Sequence, residues 1–315
     1  MKTKIYTSEF RNRLLTNLMF LCIVLLFCIP SINFAQDKPD TVIVKADSVI
    51  YLLKLTDGTE VIGTLIEQTA TEMRIATENF GEVTILKTKI KKTKILNESD
   101  FVKGEYWFEN PNSTRYFFAP SAHTLEPGEG YYQNTYLILQ SFNVGITRNI
   151  SFGGGFEITS LFGLGDDGPN PIFYLTPKAG FKVAENVRAG VGVLYATVPD
   201  DDSRMGLGIM YGITTYGNID NNITLGLGWG YSEAEFHNRP VITLSGMSRI
   251  SKRVMFVSEN WIIPDGEKYM AIFSYGIRFF GERISVDLGF INNKDIIEEI
   301  VIGIPYVDFV VKFGK

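Results

Sequence analysis

From about residue 115 onward the chain is a succession of short runs in which large apolar and small or polar residues alternate. In residues 224–231, Leu225, Leu227, Trp229 and Tyr231 take one set of positions and Gly226, Gly228 and Gly230 the other. In residues 284–291, Ile284, Val286, Leu288 and Phe290 oppose Ser285, Asp287 and Gly289. Residues 187–195 set Ala189, Val191, Val193 and Tyr195 against Arg188, Gly190 and Gly192, and residues 269–279 place Arg278 on the face of Ser274 and Gly276. A period of two is that of a strand whose faces meet different surroundings. Twelve such strands are predicted, near 115–125, 131–146, 150–161, 172–182, 187–197, 205–216, 222–231, 241–249, 254–262, 269–280, 284–291 and 300–313.

The connections alternate in length. Short ones are centred on Arg148-Asn149, Glu185-Asn186, Asn221, Lys252 and Glu282; long ones span 126–130, 163–171, 199–204, 232–239, 264–268 and 292–299. Tight turns on one side and long loops on the other suit a barrel that crosses a membrane. A soluble β-sandwich would bury one face of each strand equally well. It has no reason to alternate its connections, and the glycine- and serine-rich face would leave its core hollow. Closure in lipid removes the unpaired edges. The expected fold is therefore all-β: an antiparallel transmembrane β-barrel of about 12 strands over 115–315. Aromatics form two bands near the strand ends. Tyr131, Tyr132, Phe173, Tyr174, Trp229, Tyr231, Trp261 and Tyr269 lie beside the long connections, and Phe152, Phe181, Tyr216, Phe256, Phe279, Phe280 and Phe313 beside the short ones. Such girdles belong at the two lipid–water boundaries.

Ahead of this region lie three further segments. Residues 1–35 read as a signal peptide, with Lys2, Lys4, Arg11 and Arg13 before an apolar stretch over 18–29 and a cleavage point after Ala35. Residues 36–47 are a polar tether. Residues 48–97 carry about five short strands, with Asp57-Gly58 as a hairpin signal. Residues 98–114 form a linker rich in aromatics, Phe101, Tyr106, Trp107 and Phe108. Three places are open to these rings: the barrel rim, the pore, or the surface of the small domain.

The pattern Leu55-x-Asp57-Gly58-x-x-x-x-Gly63 followed by short strands resembles the small SH3-like or Sm-like barrels. Residues 115–315, with the signal segment and a last strand ending on Phe313, resemble the outer-membrane β-barrel proteins of Gram-negative bacteria. In that family a terminal aromatic is read by the assembly machinery; here Gly314 and Lys315 follow it. The resemblance implies location in the outer membrane, with the small domain in the periplasm. It also implies envelope lipid, lipopolysaccharide and the barrel assembly machinery as partners.

Composition narrows the chemistry. Both cysteines, Cys22 and Cys28, lie in the signal segment, so the mature chain has no thiol chemistry. Removing residues 1–35 changes 30 basic and 35 acidic residues to 26 and 34, a net charge of −8 that disfavours nucleic acid. The lysines Lys87, Lys89, Lys91, Lys92 and Lys94 are a candidate binding surface of the small domain for a periplasmic partner. Their blander reading is a solvated strand edge guarded against pairing. Only two histidines exist. Ser121 and His123, two apart on one strand face, are the candidate catalytic pair at the rim, against a plainly solvated rim histidine. The acidic run Asp200-Asp201-Asp202 has the hard oxygen ligands that Ca²⁺ or Mg²⁺ takes, but not the calcium-loop spacing. Neither metal nor cofactor is expected. Arg188, Arg278 and Asp287 fall on the inward face as lumen-lining polar residues.

The leading expectation is a non-catalytic barrel, a passive small-solute channel or a structural and binding protein of the envelope. One alternative is a lipid-modifying hydrolase using the rim Ser121/His123 pair. Another is an envelope-organising protein that binds a periplasmic partner through the small domain.

Overall fold

The computed structural model describes residues 49–162, 170–200, 203–232 and 235–314. The expectations for the signal peptide, the tether, Asp201, Asp202 and the side chain of Asp200 lie outside the described residues. The chain divides into two units, up to Asn97 and from Glu98 onward.

The first unit is a five-stranded antiparallel sheet. Its strands are β1 (Ile50–Leu55), β2 (Glu60–Gln68), β3 (Glu72–Thr77), β4 (Gly81–Leu86) and β5 (Ile90–Leu96), in the order β4-β3-β2-β1-β5. The Asp57-Gly58 hairpin forms as its residues dictate: Gly58 takes φ +90°, and the Asp57 carboxylate accepts the Thr59 N–H at 2.9 Å. Leu53, Leu65, Met73, Ile75 and Ile85 make the core. Of the five lysines, Lys91, Lys92 and Lys94 lie on the edge strand β5, and Lys87 and Lys89 in the turn that leads into it.

The second unit opens with a two-stranded hairpin, β6 (Phe101–Val102) and β7 (Glu105–Tyr106). The barrel begins only at β8 (Glu129–Thr135). It continues through β9 (Leu139–Thr147), β10 (Ile150–Glu157), β11 (Phe173–Leu175), β12 (Lys178–Ala184), β13 (Val187–Asp200) and β14 (Ser203–Gly217). Then come β15 (Asn221–Ser232), β16 (Glu235–Ser251), β17 (Val254–Asp265), β18 (Lys268–Phe280), β19 (Ile284–Asn293) and β20 (Ile304–Gly314). Except for β11 and β12, each strand pairs antiparallel with the next, and β20 closes on β8 with Asp308 opposite Thr135. β11 and β12 are two pieces of one barrel strand, both lying between β10 and β13. The break falls at Thr176-Pro177, where proline has no N–H for the ladder. Counting that pair once, the barrel is closed and has twelve strands.

Twelve is also the number read from the sequence, but two of its assignments were wrong in compensating ways. Residues 115–125 form no barrel strand. Residues 131–146 are two strands, folded back at Tyr136-Leu137, which take φ of 55° and 64°. Ile138 N–H closes that turn on Thr135 O at 3.0 Å. A two-residue turn of this hand ordinarily uses Asn-Gly, so a Tyr-Leu turn leaves no signal in the sequence.

Outward positions carry Phe142, Leu225, Leu244, Phe273, Leu288 and Phe309, all large, apolar and exposed. A belt of this kind is stable against lipid and not against water. Of the girdle aromatics, Phe152, Phe181, Tyr216, Phe256, Phe279 and Phe313 beside the short turns, and Phe173, Trp229 and Tyr269 beside the long connections, do face outward. Phe280 and Tyr131 are instead buried. Tyr131, Tyr174 and Trp261 line the lumen. Position along a strand cannot tell the two faces apart; parity does. Among the described residues no helix is long and apolar enough to cross a membrane.

Candidate functional site: a plugged lumen and its chamber

The inward positions of the barrel carry glycine, hydroxyl and a few charged side chains, together with apolar ones such as Ile213, Val241 and Val257. The space they leave near the short-turn end is filled by the residues that precede β8. Phe108, Asn110, Asn112, Arg115, Tyr116, Phe117, Ala119, Ser121, Ala122 and Leu125 are all buried. Of the three places open to the linker aromatics, Phe108 has taken the pore. It packs edge-on against Phe280 at 5.9 Å, with the Arg249 guanidinium 5.2 Å from its ring centre. Glycines of the wall admit this segment's backbone. A Cβ on Gly180 would lie 2.4 Å from Ala122 O, and one on Gly145 would lie 2.2 Å from Glu126 O.

The plug has few backbone partners of its own, so charged side chains of the wall satisfy it. Glu259 on β17, itself buried, accepts the backbone N–H groups of Phe117, Phe118 and Ala119 at 2.9, 2.9 and 2.8 Å through one oxygen. Its other oxygen accepts Trp261 Nε1–H at 2.8 Å. Lys178 on β12 donates to the carbonyls of Thr114, Ser121 and His123 at 3.0, 2.9 and 2.7 Å. Arg278 donates to Tyr116 O at 2.7 Å and to both oxygens of Asp287 at 2.6 and 2.7 Å. Arg115 of the plug reaches Asp308 at 2.9 Å and Asp287 at 3.3 Å. Two guanidinium groups and two carboxylates thus neutralise one another out of water, as buried charges must. Tyr116 completes the clamp, its hydroxyl 2.6 Å from both Asn222 Oδ1 and Thr224 Oγ1.

The structure places the sequence candidates as follows. Arg278 and Asp287 face inward as a pair, and both are spent on holding the plug. Arg188 faces inward and donates from Nε to Ala122 O at 3.3 Å. Ser121 and His123 lie inside the lumen rather than at a rim. Ser121 Oγ donates to Ser113 O at 2.6 Å and accepts the His123 backbone N–H at 3.2 Å. The His123 Nε2 has no hydrogen-bond partner among the described residues. Burial, with Arg188 and Lys178 nearby, holds that imidazole down to about 4, so it is neutral at pH 7. Among the described residues no hydrogen bond joins the His123 imidazole to the Ser121 hydroxyl. The described residues hold no cluster of His, Cys, Asp and Glu that would bind a metal ion.

Sequence reasoning missed the residues that do most here: Glu259, Lys178, Arg249, Arg115, Tyr116 and Asp308. A signal did exist for those on strands, since each is a polar side chain at inward parity. Their partner was hidden by reading residues 115–125 as a strand.

Above the plug lies a cavity of about 420 Å³. Its floor is Phe117, Phe118 and Leu125, and its walls include Tyr131, Leu194, Ile209, Ile213, Val241 and Trp261. Polar side chains also reach it, among them Gln133, Asn143, Thr176 and Thr243 on the wall and Arg115 and Lys178 at the base, but most of its exposed lining is apolar. An apolar chamber of a few hundred Å³ with a small number of polar groups is the usual form of a small-molecule site.

No protein-family model matches the chain, and no curated protein matches it. Among solved structures it is similar to OmpT, an outer membrane protein of Vibrio cholerae, at 10% identity and a TM-score of 0.31, over 86% of this chain and 99% of that one. A loop L8 deletion mutant of the same protein matches at the same identity and TM-score, over 85% and 97%. Likeness so distant carries no argument about activity. The barrel and its apolar belt decide the location. This is a closed antiparallel β-barrel of the kind that crosses a membrane. The expectation of a passive small-solute channel is overturned, because the lumen is filled by residues 108–125 and locked by buried charges.

Proposed function

We propose that this barrel acts on envelope lipid, holding the hydrocarbon part of an amphiphile in the chamber above the plug. The observation that carries this reading is the chamber itself: mainly apolar in its lining, closed beneath by the plug, and set in a barrel with an apolar outer belt. It keeps the substrate class of the lipid-directed alternative and drops its Ser121/His123 pair. The test is binding of a fluorescent fatty acid by refolded protein, in the parent and in Ile213→Trp, which fills the chamber. Binding in the parent that falls at least tenfold in the variant, about 1.4 kcal/mol, is the expected result. Equal binding in both overturns the reading. Turnover of ester-linked chains is followed in the same samples. Ser121→Ala is expected to leave it unchanged, because the hydroxyl is committed to Ser113.

We propose further that the small sheet is of the SH3-like class and lies in the periplasm. Its strand order supports this, as does an even barrel whose two ends share the short-turn side. Lys91 and Lys92 on its edge strand, both exposed, would then face an anionic periplasmic partner. Charge reversal of both in the full chain should abolish capture of such a partner from envelope extracts, and unchanged capture rejects the assignment.

A further inference from the structure

The wall of the barrel is uneven. β16 has 17 residues and β14 has 15, whereas β8 has 7, β9 has 9 and β10 has 8. At a rise of about 3.3 Å per residue and a tilt of about 40°, nine residues climb roughly 23 Å and seventeen roughly 43 Å. The lipid-facing band is about 25 Å tall. The β8–β9 hairpin therefore ends within the apolar zone or at its edge, while the opposite wall rises well beyond it.

The tip of this hairpin is built for lipid. Leu137 is 78% exposed, and Tyr136 and Ile138 are exposed beside it. Directly below, on the outward face, sits a polar group that is foreign to a lipid belt. Asn134 Oδ1 accepts Leu137 N–H at 3.0 Å, and Gln140 Nε2 donates to Leu137 O at 2.9 Å. Asn134 Nδ2 donates to Gln140 Oε1 at 2.9 Å, and Tyr132 OH donates to the same oxygen. Beside this network Tyr132, Phe142, Phe156 and Ile158 frame an outward-facing depression. On the inward side Thr135 and Leu139, which flank the turn, belong to the chamber lining. An apolar hollow on the lipid face and a mainly apolar chamber in the lumen thus lie on opposite sides of the low wall made by β8, β9 and β10, with the β8–β9 turn between them at its top.

We infer that the β8–β9 hairpin is a notch by which the acyl chain of a leaflet lipid passes sideways from the bilayer into the chamber, over Thr135 and Leu139. The inference rests on the lipid-directed reading above. It adds a source and a route: a chain from a lipid resident in the membrane, rather than a free fatty acid arriving from water. The Tyr132, Asn134 and Gln140 group sets a polar level at which the lipid's ester carbonyls remain while its chain bends inward.

Trp261 in the chamber wall is the reporter. Replacing Trp107 and Trp229 by Phe leaves Trp261 as the single tryptophan of the full chain, and heat-modifiable migration confirms folding. The protein is placed in phosphatidylcholine vesicles whose acyl chains carry bromine, which quenches tryptophan on contact. The expected result is loss of Trp261 emission in brominated vesicles and its recovery in Leu139→Phe, which narrows the notch. Thr135→Val, which keeps the opening, should stay quenched. Trp261 quenched by a soluble brominated fatty acid but not by brominated vesicles overturns the lateral route while leaving the chamber as a chain site. Quenching by neither removes the lipid-directed reading as well.

Discussion

His123 shows how a single side chain reports the state of the plug. Its imidazole is buried beside two cations and is held down to about 4, against 6.5 in an unfolded chain. Between those values the unfolded state binds the extra proton, so stability is complete above pH 6.5 and is lost as pH falls toward 4. Below 4 both states are protonated and the loss stops growing. The midpoint of heat-modifiable migration should therefore fall between pH 6.5 and 5 in the parent and stay flatter in His123→Asn. Identical slopes in the two would show that the plug lets water reach this ring. At the same scale Glu259 was open to sequence reasoning as a carboxylate at inward parity between Val257 and Trp261. What it binds was not, since three consecutive backbone N–H groups carry no residue-type signature.

Among the elements, the β8–β9 hairpin departs furthest from local preference. Left-handed φ costs an L-residue roughly 1–2 kcal/mol, and here Tyr136 and Leu137 both adopt it. Tyr136 gains something in return, as its hydroxyl donates to Pro305 O at 2.7 Å and its ring packs on Tyr306 at 5.7 Å. Leu137, largely exposed, has no such packing in detergent. Leu137→Gly is expected to stabilise the protein in micelles by about 1 kcal/mol, read as a higher urea midpoint. A lower midpoint would mean that the leucine's contact with the apolar phase outweighs its backbone strain. The sequence Asn134-Thr135-Tyr136-Leu137-Ile138-Leu139 reads as continuous strand because β-forming residues fill it. Closure of β8 onto β20 is what forces the fold-back.

For the whole molecule, the decisive feature is that the barrel is a container and not a conduit. A planar bilayer holding the folded parent should be electrically silent. Removing Arg278 from its buried pair with Asp287 costs about 3–5 kcal/mol, and removing Glu259 leaves three buried plug N–H groups without their acceptor, so Glu259→Ala combined with Arg278→Ala should release the plug and give resolvable current steps. Steady conductance in the parent would overturn the plugged state. Silence of a folded double variant would mean that Lys178, Arg249 and Tyr116 suffice to hold the segment.

The sequence alone determined what depends on periodicity: an antiparallel barrel, the two faces of most strands, and the inward parity of Arg188, Arg278 and Asp287. These follow because lipid and lumen impose opposite polarity on alternate residues, and that imprint is local. The tertiary structure decided the rest. Residues 108–125 look like strand and linker, yet they fill the lumen, because the glycines and charges that receive them come from strands as far as 193 residues away in the chain. The low hairpin and the chamber behind it arise from differences in strand length around a closed ring, and ring closure is a property that no stretch of chain carries by itself.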